Sequence, residues 1–189
     1  QRQMCIRDRS NVTRAIQHLG YDVILTCDDK DVQKAEAIVL PGVGHFQDAM
    51  HSIEEKSIKD MLKNIHDKPI IGICLGMQLL FQHSAEGDVS GLELVPGNIV
   101  PIQSSHPIPH LGWNELKSTH PLLQSDVYFV HSYQAEMSEY VVAYADYGTK
   151  IPGVIQYRNY IGIQFHPEKS GTYGLEILNQ ALKGGFIND

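Results

Sequence analysis

Three short clusters in this sequence hold residue types that together can transfer an acyl group. The first is Gly72-Ile73-Cys74-Leu75-Gly76, a thiol with glycines two residues before and two residues after it. Glycines at that spacing let a chain turn sharply from strand to helix, because no Cβ obstructs the close backbone approach. Such a turn pushes the Cys74 thiol out at the end of a sheet. It also sets Cys74 at a helix N-terminus, where free N–H groups favour a thiolate. The second cluster is His166-Pro167-Glu168. A cysteine nucleophile needs a base, and the base needs an orienting group; Glu168 is close enough to hold the imidazole while Pro167 stiffens the loop. The third is Pro41-Gly42-Val43-Gly44, a glycine-rich turn whose backbone N–H groups, that of Val43 among them, can face a pocket. With the Leu75 N–H at the elbow it would supply the two donors that an oxyanion requires. Each cluster has a plain alternative: a free Cys is most often a small buried hydrophobe, and loops with His, Pro and Glu or turns rich in Gly are common.

These clusters need a sheet to carry them. Pro69 to Ile73 is a short apolar run with β-branched residues, which reads as a buried strand, and Leu75 to Phe81 is a run of good helix formers closing near Gly87. Before it, Asn11 to Leu19 reads as a helix with Val12, Ile16 and Leu19 on one face and Gly20 as its stop. Tyr21 to Leu25 and Ala37 to Leu40 read as strands, and Phe46 to His66 carries helical patterning. Alternation of strand and helix predicts an α/β fold with a doubly wound, mostly parallel central sheet. The second half is richer in strand. Gly97 to Ile102, Gly112 to Lys117, Asp126 to Glu136, Tyr140 to Ala145, Val154 to Tyr157 and Tyr160 to Phe165 form an additional, largely antiparallel set. A last helix runs from Gly174 to Leu182. The opening residues 1–9, QRQMCIRDR, are polar and unpatterned; they read as a non-native leader in place of a first strand, ahead of a single domain over 10–189.

A length of 189 residues fits that one domain, and the formal net charge of −7 carries no basic block that would point to nucleic acid. No apolar run reaches the length of a membrane span, and no secretory signal is seen. Cys5, Cys27 and Cys74 are odd in number and widely spaced, which suggests reduced thiols and a cytoplasmic setting.

Taken in order, Pro41-Gly-Val-Gly44, Gly72-Ile-Cys74-Leu-Gly-Met-Gln78 and His166-Pro-Glu168 resemble the class I glutamine amidotransferases. His110-Leu-Gly112-Trp113-Asn114, Tyr128-Phe-Val-His131-Ser132-Tyr133 and Lys169-Ser170-Gly171 narrow the resemblance to the glutaminase subunits of imidazole glycerol phosphate synthases, over about residues 10 to 187. The resemblance implies a Cys74, His166 and Glu168 triad that hydrolyses L-glutamine to glutamate and ammonia. Val43 and Leu75 are implied as oxyanion donors, and Gly42, Gln78, His131, Ser132 and Tyr133 as positions that hold glutamine. The ammonia would pass to a cyclase subunit built as a (β/α)₈ barrel and forming a heterodimer with this chain. That cyclase makes imidazole glycerol phosphate and an aminoimidazole carboxamide ribotide in histidine biosynthesis. Asn11, Trp113, Asn114 and Lys169 match positions near that subunit interface. No cofactor or metal is implied. At the N-terminus the family's strand and Asp-Tyr-Gly-x-Gly-Asn turn are missing, apart from Asn11.

Two other readings compete. One is a class I glutaminase serving anthranilate, guanylate or pyridoxal phosphate synthesis, against which Gly112-Trp-Asn114 counts. The other is a non-catalytic, partner-binding homologue, against which the complete Cys74, His166 and Glu168 set counts. A metal site at His106 and His110 is disfavoured, because Pro107 and Pro109 deny a helical face and no cysteine lies nearby.

Overall fold

Strand β2 (Ile70–Cys74) lies between two parallel neighbours, and all five of its residues are buried. It belongs to a computed structural model that describes residues 11–55 and 58–187. Helix α1 covers residues 11–18. It is followed by α2 (Asp29–Lys34), β1 (Ile38–Gly42), α3 (Phe46–Glu55), α4 (Ile58–Lys63), β2, and the short α5 (Leu75–Leu79). Then come β3 (His83–Ser84), β4 (Val89–Ser90), β5 (Asn98–Pro101), β6 (His110–Lys117), β7 (Asp126–His131), β8 (Tyr133–Ala135), β9 (Val141–Asp146), β10 (Lys150–Tyr157), β11 (Tyr160–Ile163) and α6 (Gly171–Leu182).

The main sheet has seven strands in the order β1-β2-β11-β10-β9-β6-β7. β1 and β11 flank β2 in parallel, and the antiparallel strands continue the same sheet from β11 outward. That sheet curls, because the His166 N–H just past β11 donates to the Tyr128 carbonyl on β7 at 2.9 Å. Four short strands, β4-β3-β5-β8, make a second sheet. The Ile-Ile-Gly-Ile-Cys composition of β2 suits a strand covered on both faces. Ile71 and Ile73 pack in a core with Val12, Ile16, Ile177 and Leu178 of α1 and α6. Ile70 packs on the other side with Phe46, Met50, Leu62 and Met77 of α3, α4 and α5. Helices on both faces of the parallel strands make this a doubly wound α/β fold.

Three expectations change. Residues 21–25 form no strand among the described residues; no backbone ladder engages them, and only Tyr21 and Val23 pack on the core. The elbow helix ends at Leu79, well short of Gly87. The carbonyls that a further turn would have used are taken by residues 92–95: Leu92 N–H donates to Leu79 O, Leu94 and Val95 N–H to Leu80 O, and Glu93 N–H to Phe81 O, at 2.8–3.1 Å. The stretch from Asp126 to Glu136 is two strands split at Ser132, one in each sheet. The leader 1–9, with Cys5, lies outside the described residues.

Candidate active site

The turn at the end of β2 is tight because α5 starts directly against β1. A Cβ on Gly76 would sit 1.7 Å from the Leu40 carbonyl oxygen, and one on Gly72 would sit 2.4 Å from Gly76 O. Cys74 itself adopts φ 54° and ψ −112°. A non-glycine residue at positive φ typically stores on the order of 1–3 kcal/mol of strain, held here by the packing around it. The strain aims a buried thiol, 7% exposed, off the sheet's carboxyl end. Because α5 has only five residues, its dipole is short, and an imidazolium is the stronger positive influence on the sulfur.

That imidazole is His166. It follows β11, which pairs in parallel with β2, so both residues reach the same sheet edge. Glu168 Oε1 accepts from His166 Nδ1 at 2.8 Å, and Cys74 is near enough to the same ring to favour its charged form. Both side chains of this ion pair are almost fully buried. Burial opposes the imidazolium, but the Cys74 sulfur and the Glu168 carboxylate outweigh it and hold the His166 pKa at about 10. Glu168 sits in a 3₁₀ turn, Pro167–Lys169, that starts at Pro167. The backbone of His166 is fixed from both ends. Its N–H donates to Tyr128 O, and its carbonyl accepts from Ser170 Oγ at 2.6 Å, an oxygen that in turn accepts from Tyr128 N–H at 3.0 Å.

Gly42 ends β1 directly opposite Cys74 in the parallel register, which puts Val43 beside the elbow. A Cβ on Gly42 would lie 2.9 Å from the Gly76 nitrogen, so a larger residue would push the turn away from the thiol. Leu75 opens α5, so its N–H has no partner within the helix.

Gln78, His131, Ser132 and Tyr133 converge on the same edge. Gln78 Nε2 donates to Tyr133 O at 2.9 Å and to Gln164 Oε1 at 3.1 Å. His131 is buried at the end of β7, and its Nδ1 lies 2.8 Å from Tyr133 O. Burial pushes the His131 pKa down to about 3. Ser132 links β7 to β8, and its carbonyl accepts from Ile102 N–H at 2.9 Å. Sequence reasoning missed Gln164, whose Nε2 approaches Cys74 Sγ at 4.0 Å. The available signal was a polar residue, wholly buried here, at the end of an apolar strand run.

The expected interface residues are spread over α1, β6 and the turn that carries Glu168. Asn11 lines a cleft with Arg14, His18 and Glu168. Trp113 is 59% exposed on β6, while the neighbouring Asn114 turns its amide toward His110 Nε2 (3.4 Å) and Asp146 O (3.1 Å). Lys169 is half-buried beside Glu168.

A buried Cys–His–Glu chain at a strained elbow, with backbone donors at hand, suits attack on a carboxamide or ester carbon. The sequence profile described as "Glutamine amidotransferase class-I" matches residues 8–183. "Imidazole glycerol phosphate synthase subunit HisH" of Staphylococcus epidermidis is 99% identical over 180 residues, which is 95% of this chain and 94% of that one. The protein of the same description from Staphylococcus saprophyticus is 65% identical, over 95% of this chain and 90% of its own. Among solved structures, one described as a glutamine amidotransferase superposes with TM-score 0.76 at 16% identity, covering 93% of each chain. A protein described as a GMP synthase subunit, from Thermoplasma acidophilum, gives 0.67 at 19% identity, over 92% of this chain and 85% of that one. At those identities the structures speak for the fold, while the sequence relatives decide the family: this chain belongs to the class I glutamine amidotransferases, among the HisH subunits of imidazole glycerol phosphate synthase.

Proposed function

We propose that this chain hydrolyses the side-chain amide of L-glutamine through Cys74, His166 and Glu168, and delivers the ammonia to a cyclase partner. The Cys74 sulfur attacks the amide carbon. The resulting oxyanion is met by the N–H groups of Leu75 and Val43. His166 gives its proton to the departing nitrogen, ammonia leaves, and a thioester remains on Cys74. Water then adds as His166 takes its proton, and the thioester collapses to glutamate and free Cys74. Glu168 keeps the ring oriented throughout and stabilises the imidazolium before ammonia leaves and again after water adds. Gly42, Gln78, His131, Ser132 and Tyr133 hold the substrate. Asn11, Trp113, Asn114 and Lys169 face the cyclase, where the lyase step with the ribotide takes place.

The observation that carries this reading is the 2.8 Å bond between Glu168 Oε1 and His166 Nδ1, on a ring whose charged form is favoured by the nearby Cys74 thiol, itself held at positive φ. Replacing the nucleophile tests it. Cys74→Ala in the assembled complex should lose glutamine-dependent synthesis by roughly four to six orders of magnitude, the scale seen when a nucleophile is removed from its unit. Synthesis from added ammonia should persist. Glutamine hydrolysis near the parent rate in Cys74→Ala would remove Cys74 from the mechanism.

A further inference from the structure

The substrate side of the site is tied to strand β6 by a run of hydrogen bonds that has only one possible direction. The Tyr133 carbonyl can only accept, and two groups reach it: Gln78 Nε2 at 2.9 Å and His131 Nδ1 at 2.8 Å. His131 therefore carries its proton on Nδ1. Buried and neutral, it leaves Nε2 as an acceptor, and the group facing that nitrogen is His110 Nδ1 at 3.3 Å. His110 must then hold its own proton on Nδ1, so its Nε2 accepts from the Asn114 amide at 3.4 Å. The Asn114 NH₂ spends its second hydrogen on Asp146 O. At the other end, Gln78 uses both amide hydrogens on Tyr133 O and Gln164 Oε1, and Gln164 turns its own NH₂ toward Cys74 Sγ. The His110 ring is also fixed in plane, stacked between Phe129 at 4.4 Å and Tyr147 at 4.0 Å. Tyr147 is anchored by its hydroxyl to Pro107 O.

We propose that His110 is a positioning residue for glutamine binding: its Nδ1–H fixes the tautomer of His131, and His131 in turn holds the Tyr133 carbonyl in place for the Gln78 amide beside Cys74. The inference rests on the glutaminase reading above. Without the His110 donor, His131 Nε2 is a buried acceptor with nothing to accept from. It can then turn, or move its one proton from Nδ1 to Nε2, and the grip on Tyr133 O slackens. His131, Tyr133 and Gln78 are the side of the site that holds substrate, so KM responds more than kcat.

The test uses the complete complex at saturating cyclase. His110→Phe keeps the stack between Phe129 and Tyr147 and removes both nitrogens. KM for glutamine should rise about tenfold with kcat within roughly threefold, the pattern of lost binding, and ammonia-dependent synthesis should be unchanged. ¹⁵N NMR should find the proton of His131 on Nδ1 in the parent and redistributed in the variant. His110→Asn places an amide N–H near the old Nδ1 and should recover most of the loss. Asn114→Asp leaves the core intact but presents an acceptor to His110 Nε2. It should flip the His110 tautomer, set two lone pairs against each other at the His131 bond, and raise KM as His110→Phe does. Should both variants keep the parent KM and the parent His131 tautomer while Cys74→Ala is inactive, the positioning role is refuted and the triad stands. If Cys74→Ala still hydrolyses glutamine, the reading beneath it falls as well.

Discussion

Strands β2 and β11 differ from β6 and β7 in how much change they can absorb. Every residue of β2 and β11 is buried, and the β2 turn brings backbone against backbone at Gly76 and Leu40. Along β6, buried and exposed positions alternate instead, leaving Leu111 at 60% and Trp113 at 59% exposure. The parallel half is covered by helices on both faces and so fixes a thiol in a strained conformation. Strands β6 and β7 have one face toward solvent and can present side chains outward without disturbing the core. Tyr128 is where the two halves meet: it lies opposite Trp113 in the β6–β7 register, and it bonds the backbone of His166 and the Ser170 hydroxyl.

One substitution made in both halves tests that contrast most severely. Gly76→Ala places a Cβ inside the Leu40 carbonyl, where only backbone can yield. We expect a loss of roughly 4 kcal/mol or more, a large share of a typical domain's total stability. Gly112→Ala, on β6, meets nothing within 4 Å and suffers only from its φ of +124°. It should cost about 1–2 kcal/mol. Equal costs in urea titrations would mean that the elbow is as pliable as the outer strand.

Glu168→Gln comes next. The carboxylate is one of the two groups that raise His166 from its ordinary 6.5 to about 10. Removing it should lower that pKa, so the alkaline limb of kcat/KM, where the proton for ammonia is lost, should move to lower pH. The rate should drop by about 10⁴, less than for loss of the nucleophile. The linked stability follows the same sign. A raised histidine pKa adds stability that is complete below 6.5 and lost as pH rises through about 10. His131 has the opposite sign: with its pKa lowered to about 3, it adds stability above 6.5 that is lost as pH falls toward 3. Glu168→Gln should therefore flatten the alkaline side of a melting-temperature profile and leave the acid side as it was. An unchanged alkaline limb in both profiles would separate Glu168 from the ring's charge.

The same contrast explains what could be read from the sequence. Gly72-x-Cys74-x-Gly76 is local chemistry, and the turn it predicts is present because close backbone approach is encoded by the glycines themselves. His166 and Glu168 are two residues apart, so their bond was legible as well. The helix end at Leu79 was not, because residues 92–95 compete for its carbonyls from across the chain. Residues 21–25 have β-forming residues, but a strand is made by its neighbours, and none of the described strands pairs with them. Gln164 and His110 lay hidden for a related reason: each acts through partners 21 to 90 positions away. Only the curl of the sheet brings them together.

The smallest effect expected on the isolated chain is also the one that best separates the two halves. Trp113 stands on the solvent face of β6 with Leu111 two residues before it, and its ring meets Tyr128 edge-on at 5.9 Å. Ile108 and Tyr173 are further large apolar groups left exposed, at 43% and 58%. If this face docks the cyclase, Trp113 has the character of an interface anchor: large, apolar, and carried on a stiff strand. Trp113→Ala should then change the melting behaviour of the chain alone by no more than about 0.5–1 kcal/mol, as for other surface positions. Affinity for the cyclase should fall by about 2 kcal/mol, close to 30-fold, in a titration of the two subunits. Neither Glu168 nor Cys74 touches the indole, so a covalent glutamine analogue should still modify Cys74 in the variant. A variant that melts far lower while binding the cyclase as tightly as the parent would place Trp113 in the fold's support, and the docking face would have to be sought elsewhere.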